Sequence, residues 1–252
     1  MHKRAPSKIS ATINAHFTKL WWSIFLLSLL PGMVLLFKLA TNQLGTNPLE
    51  TLTWTSGRWA VIFLILTLTV TPARRLLVRF CVGRKLTWGK RLSDWNFLIR
   101  LRRMLGLWCY AYACFHVWVF LEYDLGYDWV FLGEELGEKP YILAGVAAFL
   151  LLTPIAATST NGMMRRLKRH WRRIHRLTYV VAILACLHWW WMSKPGDYRA
   201  MPYIVLLLGL LFYRLAVWRG WCPLPRSDDD GMESPVRGRT NAQRPPPTPM
   251  SN

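Results

Sequence analysis

Three of the six histidines stand where an ionisable ring is hardest to accommodate. His116 lies in an apolar run over residues 104–123, and His175 and His188 lie in another over residues 174–192. Imidazole ligates metals through a neutral ring nitrogen, and it can also relay protons. Inside a bilayer such a group is costly and tends to be kept for a task. His2, His16 and His170 sit in basic segments, where a solvated ring needs no special partner.

Depth relates two of the three. His116 follows Arg103 by 13 residues and His188 follows Arg173 by 15, which at about 1.5 Å per residue places them about 20 and 22 Å from the same boundary. The two runs cross in opposite directions, so these rings can meet across a helix bundle at one level. Two imidazoles at matched depth are what bis-histidine ligation of a b-type haem requires. Gly106, Cys109, Ala113 and His116 fall on one face of a helix, within about 80° of arc. Their small side chains leave room for a flat macrocycle, although small residues also serve close helix packing in membranes. His175 lies 13 residues before His188, about 20 Å lower, and points about 140° away on an ideal helix. The positions that could supply a matching histidine hold Arg102 and Arg103. Ligation of a second haem with a non-histidine partner, contact with another carrier, and a propionate bond all remain open for His175.

The elements that must hold these rings follow from hydropathy. The chain has 252 residues, 53% hydrophobic, in long runs separated by short charged stretches. About 20 apolar residues cross a hydrocarbon core as one helix. An all-α membrane bundle of six spans is predicted: Leu20–Ala40, Gly57–Ala73, Met104–Tyr123, Tyr141–Thr158, Ile174–Met192 and Met201–Val217. Pro72, followed at once by Arg74 and Arg75, is expected to end the second. This gives a basic N-terminus over residues 1–19, a transmembrane domain over 20–218, and a tail over 219–252 whose RPPPTP stretch favours disorder.

Of the 32 Lys and Arg, 27 fall in four segments that alternate across the spans: residues 1–19, 74–103, 165–176 and 214–252. The remaining five are Lys38, Arg58, Lys139, Lys194 and Arg199. The positive-inside rule puts both termini and the two basic loops in the cytoplasm, as for a multi-pass protein of a bacterial inner membrane. The net charge of +19 is thereby explained by topology and contact with anionic lipid, and nucleic-acid binding is excluded. The five cysteines form no CxxC pair, which argues against a zinc site, an iron–sulfur run or covalent haem. Phosphate-binding and nucleophile-elbow motifs are absent too.

The segments RRMLGLWCYAYACFH (Arg102 to His116) and ATSTNGMMRRLKRHWRRIHRLTYVVAILACLHW (Ala157 to Trp189), with TPAR at Thr71 to Arg74, resemble the MsrQ (YedZ) family. These are haem-binding membrane subunits of the periplasmic protein-methionine-sulfoxide reductase system, within the ferric-reductase-like transmembrane group. The likeness covers about residues 20–218. It implies a six-helix protein that binds haem b and, in the family, FMN. Electrons would come from the quinone pool or a cytoplasmic flavin reductase and pass outward to the molybdopterin-containing catalytic subunit MsrP. His116, His175 and His188 match the family's three in-membrane histidines; the FMN ligands do not carry over residue by residue.

The chain is thus expected to conduct electrons rather than to carry the catalytic step. A stand-alone ferric reductase and a transporter with a histidine relay are the competing readings, the latter weakened by spans without embedded carboxylates. Arg102, Arg103, Arg165, Arg166, Arg172 and Arg173 are candidates to hold a flavin phosphate. Trp189, Trp190 and Trp191 suit an interfacial belt. The acidic stretch from Glu122 to Lys139 is the expected docking face for the outer partner, through Glu134, Glu135 and Glu138.

Overall fold

The computed structural model describes residues 8–223, with side chains from residue 16 onward. Among these residues the structure is helical throughout: α1 (Lys8–Ala40), α2 (Pro48–Gly83), α3 (Asn96–Val119), α4 (Trp129–Glu138), α5 (Pro140–Ala157), α6 (Asn161–Leu167), α7 (Arg169–Met192) and α8 (Met201–Trp218). A short 3-10 turn over Leu92–Trp95 precedes α3, and a π turn over Phe120–Asp124 extends it. Among the described residues, five helices are long and apolar enough to cross a membrane. The remaining predicted span, α7, has the length but starts with Arg169, Arg172, Arg173 and Arg176, which dilute its hydropathy. The two closest helix pairings are α2 with α3 and α5 with α7. The core they share with α8 includes Phe63, Leu64, Cys109, Leu152, Val181, Ala182 and Leu207.

Two boundaries differ from the sequence expectation. The first helix extends the expected span towards the N-terminus, beginning at Lys8, with its apolar membrane-crossing part over His16–Ala40. The second does not stop at Pro72 but runs through it to Gly83. A proline within a helix frees the carbonyl four residues earlier. Here that carbonyl belongs to Leu68, and it accepts a hydrogen bond from Arg214 Nη2 of α8 at 3.3 Å. The group that would have made the proline costly has a partner on another helix, so α2 continues. The acidic connection expected between Glu122 and Lys139 contains α4, started by Asp128, whose carboxylate accepts from the amides of Val130 and Phe131. Residues 219–223 close on α2, where Arg75 and Arg79 donate to the carbonyls of Cys222 and Pro223. Residues 1–7 and 224–252, including the proline-rich stretch, lie outside the described residues.

Helix α1 is the most peripheral span, with a mostly exposed apolar surface. Its main polar tie is Tyr112 of α3. The Tyr112 hydroxyl donates to the Ser28 carbonyl at 2.9 Å and accepts from the Gly32 amide at 2.8 Å, flanking Pro31. Inserting a hydroxyl beside a proline is one way to satisfy the groups of a kinked helix. Tyr112→Phe should therefore destabilise the protein by about 1–3 kcal/mol, the cost of unpaired buried polar groups. A lower midpoint of thermal unfolding in detergent is the expected readout, and an unchanged midpoint would count against this tie.

Candidate functional site

The α2–α3 and α5–α7 pairs enclose a cavity of about 540 Å³ towards the acidic end of the bundle, a size usual for a cofactor site. His116 and His188 both line it. Their ring centroids are 6.1 Å apart, and the ring planes meet at 84°. A ligating nitrogen sits about 2.0 Å from its metal and about 1.1 Å from its own ring centre, so two rings on opposite faces of one metal ion have centroids about 6 Å apart. The observed separation fits that arrangement.

Both rings have one nitrogen engaged. His116 Nδ1 is 3.0 Å from the Thr53 carbonyl and 3.3 Å from Ser56 Oγ, while His188 Nδ1 is 2.7 Å from the Tyr141 carbonyl. A carbonyl can only accept, so each Nδ1 carries the hydrogen and each Nε2 keeps its lone pair. This is how a ligating histidine is commonly oriented by its surroundings. Among the described residues no group of three or more His, Cys, Asp or Glu could hold a metal ion. A metal on this pair must bring its other ligands with it, as the iron of a porphyrin does.

Of the small side chains expected to make room, Cys109 and Ala113 line this cavity with His116, whereas Gly106 lines a second one instead. Two further residues carried no signal strong enough to be found in the sequence. Gly57 of α2 and Gly145 of α5 face the rings so closely that a Cβ would stand 3.0 Å from His116 Cε1 and 2.7 Å from His188 Nδ1.

His175 is separate. It lines a second cavity, about 640 Å³, towards the basic end of the bundle. Its ring lies against Trp171, centroids 4.1 Å apart, and its Nε2 is 3.4 Å from Thr158 Oγ1. Although an ideal helix turns His175 and His188 far apart, they contact opposite ends of α5, His175 at Thr158 in the turn just after it and His188 at Tyr141 in its first turn. Of the arginines singled out from the sequence, Arg102, Arg103 and Arg172 line this cavity; Arg165, Arg166 and Arg173 do not, and Arg100, Arg176 and Arg214 take part instead. Among the described residues no carboxylate lines it. It therefore favours an anionic ligand.

At the acidic end, Trp190 and Trp191 are exposed as a belt would be, but Trp189 is buried, stacked on Tyr203 at 5.0 Å and edge-on to Trp54. Glu135 is buried as well, paired with Lys139 at 2.6 Å in the cavity wall. Glu134 and Glu138 stay exposed, as do Glu122, Asp124 and Asp128, so Glu135 is the one of the three expected docking glutamates that is withdrawn from a partner. Asp197 has the Arg199 guanidinium against it, which holds its carboxyl below the usual range.

With these positions in hand, residues 56–186 match the ferric-reductase-like transmembrane component family. That stretch holds His116 and His175 and ends just short of His188. The subunit named protein-methionine-sulfoxide reductase heme-binding subunit MsrQ from Herminiimonas arsenicoxydans is 46% identical over 198 residues, covering 75% of this chain and 83% of that protein. The chain belongs to the MsrQ family. The MsrQ protein of Ralstonia nicotianae is 39% identical over 206 residues, covering 79% of this chain and 86% of its own length. That of Xanthomonas oryzae pv. oryzae is 40% identical over 181 residues, covering 72% and 73%. MsrQ membership and the helical bundle together make this a membrane protein of the ferric-reductase-like group.

Arg214 links three helices around the basic cavity, donating to Tyr179 on α7 and to Thr71 and Leu68 on α2. Arg214→Met should lower stability by about 1–3 kcal/mol. Arg214→Lys should recover only part of the loss, since an ammonium cannot span the fork of a guanidinium. Thermal unfolding of the two variants checks this; full recovery by lysine would show that charge alone matters.

Proposed function

We propose that this chain carries haem b between His116 and His188 and acts as the electron-transfer subunit of a periplasmic methionine-sulfoxide reductase system. The observation that carries the reading is the 6.1 Å separation of two rings whose Nδ1 atoms are both occupied by carbonyl acceptors. The names of the MsrQ relatives support haem binding and the reductase system. In this reading the basic end is cytoplasmic, both termini lie there, and the membrane is the bacterial inner membrane.

Haem bound at the pair supplies one-electron chemistry. The two histidines hold it, and the surrounding apolar helices keep water from it. The basic cavity with His175, Arg102, Arg103 and Arg214 takes FMN, a quinone or the anionic edge of a second carrier, and receives electrons from the quinone pool or a cytoplasmic flavin reductase. The catalytic partner, of the molybdopterin type called MsrP, docks at the acidic end over α4 and the short connection before α8.

A reduced-minus-oxidised absorbance spectrum of purified protein should show a b-type haem. His116→Ala and His188→Ala should each remove the six-coordinate low-spin signal, because each supplies one axial nitrogen. His175→Ala should leave most of that signal and slow reduction from the cytoplasmic side. Loss of all haem in His175→Ala with full retention in His116→Ala would defeat the assignment.

Pre-reduced protein mixed with the catalytic subunit and methionine sulfoxide should reoxidise faster than without the subunit. Glu134→Gln with Glu138→Gln should slow this at low salt. Reoxidation by ferric chelates alone, indifferent to the subunit, would favour a stand-alone ferric reductase instead.

A further inference from the structure

The two histidines are seated by one local arrangement that occurs twice. On α2 the acceptor of His116 is the Thr53 carbonyl, and the glycine facing its ring is Gly57, four residues on. On α5 the acceptor of His188 is the Tyr141 carbonyl, and the facing glycine is Gly145, again four residues on. In a helix the carbonyl of residue i lies beneath the side chain of residue i+4, so any Cβ there stands between a neighbouring ring and that carbonyl. Glycine removes the obstruction, and its cost within a helix, about 1 kcal/mol relative to alanine, marks it as a residue with a task. The seats belong to different helix pairs, and the planes they impose are 84° apart.

We infer that Gly57 and Gly145 are positioning residues that, with the Thr53 and Tyr141 carbonyls, hold the two axial imidazoles close to perpendicular. This rests on the haem reading proposed above. Each seat fixes one ring about its Cβ–Cγ bond by the Nδ1–H bond to the carbonyl and by the close approach of the glycine one turn along the same helix, and Nε2 keeps its lone pair. Perpendicular axial planes leave two of the iron d orbitals nearly equal in energy. Low-spin ferric iron then gives one dominant feature at large g, whereas parallel planes separate those orbitals and give three resolved features.

The seats are unequal. A Cβ at Gly145 would approach His188 Nδ1 to 2.7 Å, closer than real contacts allow, while at Gly57 the closest approach is 3.0 Å. Gly209 on α8 has nothing within 4 Å of such a Cβ and serves as the control. Electron paramagnetic resonance of the ferric protein in detergent, with haem content measured in parallel, tests the inference. Unaltered protein should give the single large-g feature. Gly145→Ala should convert most of it to a high-spin or three-feature signal at retained haem content, Gly57→Ala should do so to a smaller degree, and Gly209→Ala should leave it alone. If an alanine variant does not accumulate, the line shape of the unaltered protein still decides. A pigmented protein with a three-feature signal overturns the seats and leaves the haem reading standing; an unpigmented one overturns the haem reading itself. Wild-type line shapes in both Gly57→Ala and Gly145→Ala would also overturn the positioning role.

Discussion

A helix in hydrocarbon must find partners for its polar groups inside the protein, and here backbone carbonyls act as the recurring acceptors between helices. Four of these carbonyls lie in helices and one, that of Thr158, in the turn just after α5, and a carbonyl oxygen has two lone pairs that a side-chain donor can reach. Thr53 and Tyr141 take the ring hydrogens of His116 and His188, Leu68 takes Arg214, Ser28 takes Tyr112, and Thr158 takes the Trp171 indole. These five contacts join α1 to α3, α2 to α3, α2 to α8 and α5 to α7. Carboxylates, which would bond more strongly, contribute to none of them. An uncharged acceptor fixed in a helix adds no desolvation cost of an anion, and it positions the donor as rigidly as the helix itself.

The asymmetry in charge gives the bundle two unlike ends. Among the described residues, one cavity is lined by arginines without a carboxylate, and the other by the two histidines beneath a rim that includes Arg58, Asp124, Glu135 and Lys139. A ligand with an anionic group is drawn to the first. The second, with balanced charge and apolar walls, suits a ligand held by coordination.

Much of this was legible in the sequence, for identifiable reasons. Span positions follow from long apolar runs, and matched histidine depth follows from counting residues from the last arginine, because helix rise is nearly constant. The passage of α2 through Pro72 was not legible, since it depends on Arg214, 142 residues later, arriving opposite Leu68. Gly57 and Gly145 were equally hidden: a glycine in a span reads as packing until the ring facing it is known. The burial of Glu135 and Trp189 depends on how α4 and α8 fold over the cavity rim, which local pattern does not encode. Which arginines face the basic cavity depends on the rotation of each helix, while their clustering at one end does not.

The two cavities share Leu64, Cys109 and Leu152 as common lining. These side chains carry no carboxylate or other charged group, so an electron can tunnel across them whereas they offer a proton no charged relay. On the function proposed above, each outward step therefore carries uncompensated negative charge through part of the membrane. A cytoplasm-negative voltage favours that movement, by about 2.3 kcal/mol per 100 mV for a full crossing. Repair of oxidised proteins outside the cell would then be pulled forward by the membrane potential and would slowly discharge it.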